Sequence, residues 1–269
     1  MTGVMRAYAE VDGRQLHYRR AGDPALPVVL LLHQAPSHSA MYEPLMERLG
    51  DRFCLIAPDT PGFGNSDALE GECDIEAFAG CFASLLQCLE IEKCLVFGHH
   101  TGAAIAVQLA SGFPGLCSAL ALSGPTLLSE DMRQTLPQLA SPFPVEEEGG
   151  HLLKMWQRIR DKDQNAPLEL IQREVLSAIA SGNNYQGSYR AVCRQDFAAG
   201  LQTLQCPVLV FAGDEDALRG SVTPSLDLLR DGHTTELEPG AGTYACERRA
   251  DEIARILVEF FNSTCETAE

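Results

Sequence analysis

The sequence predicts an α/β fold, a mostly parallel central sheet flanked by helices and carrying a helical insertion. Three observations carry that expectation. Short β-rich runs alternate with helical patterns along most of the chain. The run Val28–Leu32 is apolar at every position, as in a strand buried on both faces. From Ser123 to about Gly200 the strand pattern disappears, and amphipathic helical stretches and irregular segments take its place.

In chain order, Arg6–Glu10 and Gln15–Arg20 flank the turn Asp12-Gly13 and read as an opening hairpin. The buried strand Val28–Leu32 follows, then a helix over about Ser39–Leu49 and a strand at Phe53–Ala57. Asp74–Glu90 reads as a helix, Lys93–Gly98 as a strand, Thr101–Ser111 as a helix and Cys117–Leu122 as a strand. Prolines 125, 137, 142 and 144 and the acidic run Glu146-Glu147-Glu148 mark an irregular connection. Two amphipathic helices are expected next, His151–Arg160 and Leu168–Ala180, closed by the loop Ser181-Gly182-Asn183-Asn184. Strands return at Pro207–Ala212 and Thr234–Glu238 before a final helix, Glu247–Phe261. The expected organisation is a core domain of residues 1–124 and 201–269 with a helical cap at 125–200.

A chain of 269 residues, 45% of them hydrophobic, buries roughly 70–75% of its unfolded surface and needs no staples. Lys and Arg number 20 against 37 Asp and Glu, a net charge of −17. Such a field repels phosphate backbones and anionic lipids, so neither nucleic acid nor membrane is expected as a partner. A small molecule is, and homo-oligomerisation is left open. No run approaches the length of a membrane span, and Met1–Glu10 lacks the apolar stretch of a secretory signal. The ten cysteines include no Cys-x-x-Cys pair, and most sit in apolar runs. They read as reduced, buried thiols of a cytoplasmic protein.

Loops at the carboxyl ends of predicted parallel strands are where such a sheet presents its chemistry. They are His33-Gln34-Ala35-Pro36, Gly98-His99-His100-Thr101-Gly102, Gly213-Asp214-Glu215-Asp216, and Pro239-Gly240-Ala241-Gly242-Thr243-Tyr244 before the last helix. Gly240-x-Gly242-x-x-Ala245 fits a dinucleotide pattern, but too few residues follow it for the rest of that unit. No cofactor and no metal is expected.

These loops, with Ala57-Pro58-Asp59-Thr60-Pro61-Gly62-Phe63-Gly64-Asn65-Ser66-Asp67, resemble the α/β-hydrolase superfamily over roughly residues 5–125 and 205–262. His33-Gln34-Ala35-Pro36 resembles the oxyanion segment, with Gln34 where glycine is usual. Gly98-x-x-x-Gly102 is similar to the nucleophile elbow, Gly213-x-x-Asp216 to the acid loop, and Gly240-Ala241-Gly242 to the glycines before the triad histidine.

The departures decide the chemistry. His100 stands at the centre of the elbow where the family usually has serine, and Thr243 stands where the histidine should be. The conventional serine mechanism needs both, and losing the nucleophile alone costs roughly 10⁶-fold in a worked hydrolase. In its place the resemblance implies a base, His100, reaching towards Thr243 and oriented by Asp216. The helix beginning at Thr101 disfavours imidazolium and keeps a neutral base at hand. The amides of Ala35 and Thr101 would form the oxyanion hole. Gln34, His38 and Trp156 are the candidate substrate contacts. Asp214 and Asp131 are rival acids, Cys246 is a rival nucleophile, and His99 and His33 read as structural.

The function expected is cleavage of a small, largely apolar carbonyl or ester-like compound, by hydrolysis or in the manner of a lyase. A catalytically silent binding protein of the same fold is the alternative, with His100 filling the pocket.

Overall fold

The computed structural model describes residues 3–72 and 74–266. The expectation of buried thiols at Cys73 and Cys265 lies outside the described side chains. β1 (Met5–Val11) and β2 (Arg14–Ala21) form the predicted antiparallel hairpin. β3 (Val28–Leu32), β4 (Cys54–Pro58), β5 (Cys94–His99), β6 (Cys117–Ser123), β7 (Val208–Phe211) and β8 (Gly232–Thr234) follow. Among the described residues these make one sheet in the order β1-β2-β4-β3-β5-β6-β7-β8. Pairing is antiparallel from β1 through β2 to β4 and parallel from there on.

Alternation along β3 divides the core. Leu30 and Leu32 point into one buried cluster, shared with Phe78, Phe82, Ile105 and Leu109 of α2 (Ile75–Cys88) and α3 (Thr101–Gly112). Val29 and Leu31 point into the other, shared with Leu45 and Leu49 of α1 (Glu43–Leu49) and with Ile253 and Leu257 further along the chain. A strand apolar at every position is therefore the one that needs cover on both faces. Asp74 starts α2 by accepting the Glu76 N–H at 2.7 Å.

Between β6 and β7 lie α4 (Glu130–Leu139), α5 (Gly150–Arg160), α6 (Leu168–Ala180), α7 (Asn183–Arg194) and α8 (Phe197–Thr203). α5 and α6 fall where their amphipathic pattern puts them. α4 corrects the expectation of an irregular connection, for the Ser129 side chain caps it and Pro137 sits only two residues from its end. α7 starts inside the expected loop, because Gly182, at φ 52°, turns the chain straight out of α6. These helices build a cluster of their own from Met155, Ile159, Ile171, Val175 and Tyr185, and Tyr244 joins it from the loop after β8.

β8 corrects the expected Thr234–Glu238 strand. It is an exposed three-residue edge strand ending at Thr234. After α9 (Val222–Leu226), the last helix is divided into α10 (Ala245–Arg248) and α11 (Ala250–Glu266). No helix among the described residues is long and apolar enough to cross a membrane.

Candidate active site

β5 runs into α3 through one residue, His100, held at φ 50° and ψ −111°. A positive φ is uncommon outside glycine and marks a tight, strained turn. The turn is possible because its flanks are glycines. A Cβ at Gly98 would lie 2.4 Å from the Gly102 carbonyl oxygen, and one at Gly102 would lie 1.9 Å from that of Leu32. The His100 N–H donates to the Ser123 carbonyl at 2.9 Å, tying the elbow to β6.

From there the ring reaches Asp216 in the loop after β7. His100 Nε2 and Asp216 Oδ2 are 2.8 Å apart, and the other carboxylate oxygen accepts the Leu218 N–H at 2.8 Å. Burial opposes ionisation of Asp216, but the His100 charge and hydrogen bond, with His99 and the Leu218 amide, hold its carboxyl well below the ordinary carboxylate range. An ionised carboxylate only accepts, so Nε2 carries a hydrogen and donates it to Asp216. Nδ1 has no hydrogen-bond partner among the described residues. Gly124 makes room for the ring, since a Cβ there would lie 2.2 Å from His100 Cδ2 and 2.5 Å from Nε2.

The neighbouring groups are committed elsewhere. Fully buried His99 has Nε2 2.8 Å from the Thr243 carbonyl and Nδ1 3.0 Å from the Ser123 hydroxyl. The carbonyl requires a donor, so Nε2 carries the hydrogen, and burial pushes the pKa down to about 3. His33 is buried with Nδ1 2.8 Å from the Gln34 carbonyl, while Nε2 accepts the Thr60 N–H at 2.8 Å. Asp214 accepts the Gly240 and Ala241 amides at 2.9 and 3.0 Å, joining two loops. Asp131 is exposed on α4. Cys246 is wholly buried, and burial pushes its thiol far above the usual range.

Gln34, Ala35, His100, Thr101, Asp216 and Thr243 line one cavity of about 730 Å³. The Ala35 N–H points at the Thr101 hydroxyl across a long 3.4 Å. Thr243 uses its carbonyl on His99. His38 and Trp156 are not among the lining residues: the His38 side chain caps a short 3₁₀ turn, and Trp156 packs against the helical cluster. A larger hollow of about 1430 Å³ lies at the amino ends of β5 and β6, away from these loops.

The cavity is also lined by residues that reading the sequence missed, namely Arg158, Lys162, Tyr185 and Tyr189. Thr126 also lines the cavity, and its buried hydroxyl has no hydrogen-bond partner among the described residues. Spacings of four residues within each of the pairs Arg158/Lys162 and Tyr185/Tyr189 were the available signal. As for metals, donor atoms of His99, His100 and Asp216 lie within 4.8 Å of one another. Both His99 nitrogens already have protein partners, so a metal would have to displace them.

A model of the alpha/beta hydrolase fold matches residues 27–242, and the chain belongs to that family. It is 25% identical over 257 residues to 2-(acetamidomethylene)succinate hydrolase of Mesorhizobium japonicum, with 88% of each chain covered. An uncharacterized protein of Mycobacterium bovis is 32% identical over 148 residues, which are 55% of this chain and 42% of that one. The chain thus spans less than half the length of that relative. The enol-lactonase of Burkholderia xenovorans has the same fold, with a TM-score of 0.79 at 21% identity over 95% of this chain and 100% of that one.

Proposed function

We propose that this chain is a cofactor-independent enzyme that cleaves a small carbonyl or ester-like compound with a largely apolar body. His100 is its general base, and Asp216 orients it. The observation that carries the reading is the 2.8 Å contact between His100 Nε2 and buried Asp216, both of which line the cavity. Nδ1 takes a proton from a water or from the substrate, and the Asp216 carboxylate stabilises the imidazolium that results. The amides of Ala35 and Thr101 stabilise the oxyanion, and Thr243 occupies the position the usual histidine would fill.

Residues 125–200 act as a cap, and the core is 1–124 with 201–269. Leu128, Met132, Leu136 and Val192 supply the apolar wall of the cavity. Gln34, which lines the cavity, is a substrate contact. The described cysteines are free thiols, which fits a reducing, cytoplasmic setting.

The test is turnover of His100→Ala and Asp216→Asn against the unmodified protein. Both variants should lose about two to four orders of magnitude in rate while remaining folded. If neither the unmodified protein nor a variant turns anything over, yet a compound co-purifies with it, the chain is a receptor.

A further inference from the structure

The cavity lining has a chemistry the elbow does not explain. Arg158 lies in the last turn of α5 and Lys162 two residues beyond its end, and both line the cavity. Lys162 Nζ is 3.3 Å from the Tyr189 hydroxyl and 5.4 Å from the centre of the Tyr185 ring. Arg158 donates one N–H to the Ser141 carbonyl at 2.6 Å and stacks on Phe143 at 3.9 Å. Neither cation has a carboxylate within ion-pair distance among the described residues. The nearest acids in sequence are occupied: Asp161 accepts from Gln157 at 2.6 Å, and Asp163 pairs with Arg248 at 2.6 Å.

In a chain with a net charge of −17, two half-buried cations line one cavity, and none of the carboxylates that line it with them, Asp161, Asp214, Glu215 and Asp216, is within ion-pair distance of either. Withdrawing a charge from water is unfavourable unless an opposite charge meets it. The Tyr189 hydroxyl and the Tyr185 side chain stand beside the ammonium, and burial pushes the Tyr185 pKa up. Leu128, Met132, Leu136 and Val192 add an apolar lining to the same cavity.

We propose that Lys162, Arg158 and the hydroxyls of Tyr185 and Tyr189 form an anion subsite that takes the carboxylate of an acid with an apolar body. The subsite rests on the reading that this cavity receives the substrate. It makes that substrate a carboxylic acid whose reacting carbonyl lies at the opposite end, against His100.

Calorimetric titration with 3-phenylpropionate and its neutral amide, 3-phenylpropanamide, tests the subsite without turnover. The acid should bind at least about tenfold tighter than the amide. Lys162→Met should bring the two affinities within about twofold, chiefly by weakening the acid, and Lys162→Arg should retain the preference. Should Lys162→Met lose its thermal unfolding transition, Lys162→Gln and Arg158→Gln carry the same comparison. Equal affinities in the unmodified protein, a preference untouched by these changes, or no binding of the acid up to about 10 mM would overturn the subsite. His100→Ala should retain the preference, so a failure of the general-base reading is distinguishable from a failure of this one.

Discussion

Gly124→Ala addresses the His100–Asp216 contact without knowledge of the substrate. The new Cβ would lie 2.2 Å from His100 Cδ2, against an ordinary contact of at least 3.4 Å, so the ring must retreat by more than an ångström. Its hydrogen bond to Asp216, 2.8 Å in the native arrangement, is broken or badly bent. A hydrogen bond to a charged group contributes about 1.5–3 kcal/mol. Alanine at φ +63° adds roughly 1 kcal/mol of backbone strain. The substitution should therefore cost about 3 kcal/mol in the native background. In a His100→Ala background the clash has no partner, and the cost should fall to about 1 kcal/mol. Gly115→Ala is the matched control, for Gly115 has φ +90° and open space around its Cβ position. Thermal unfolding of the four proteins of the cycle reads the coupling, at roughly 2–4 °C per kcal/mol for a chain of this size. An equal loss in both backgrounds would refute the steric account, and with it the assigned ring position.

Other expectations follow from the same contacts. The folded carboxyl of Asp216 is depressed, so its stabilisation is present above the ordinary carboxylate range and is lost as pH falls towards the folded value. The gap in melting temperature between the unmodified protein and Asp216→Asn should accordingly narrow below about pH 4. His38 has the opposite chemistry: burial lowers its pKa to about 4, so between the ordinary histidine value and that point the unfolded chain binds the extra proton. His38→Gln should remove on the order of 1–2 kcal/mol of acid destabilisation at pH 5, read from denaturant melts at pH 5 and 7; identical pH dependence would contradict that environment. On α2, Gly80 sits in a helix interior with nothing near its Cβ position, and Gly80→Ala should stabilise by roughly 0.5–1 kcal/mol. Gly102→Ala, by contrast, would drive a methyl against the Leu32 carbonyl at 1.9 Å and should abolish soluble expression. Recovery of a folded Gly102→Ala protein would count against the packing of α3 on β3.

The sheet was legible because its strands are apolar and bounded by turn residues. Val28–Leu32 is predicted to the residue, since a strand covered on both faces has no polar position to blur its ends. β8 was misread because all three of its residues are exposed, so burial leaves no pattern on them. α7 was hidden for a related reason: its buried positions include Ser188 and Ala191, too small or too polar to mark a period. The elbow and acid loop were legible from order and spacing, and the fold brings His100 and Asp216 together. Which ring nitrogen faces the acid was not, because that depends on the angle at which the side chain leaves the turn. Arg158 in α5 and Lys162 in the turn after it were missed because charges spaced in this way read as a solvated face unless the packing of a neighbouring helix is known.

The central claim is that His100 does chemistry in this cavity. Its most direct test is untargeted mass spectrometry of a metabolite extract, incubated in parallel with the unmodified protein and with His100→Ala. The account predicts at least one small carboxylic acid consumed by the unmodified protein alone. Its products should sum to the parent mass, or to the parent mass plus one water. Equal consumption by both proteins, or consumption by neither, would contradict it.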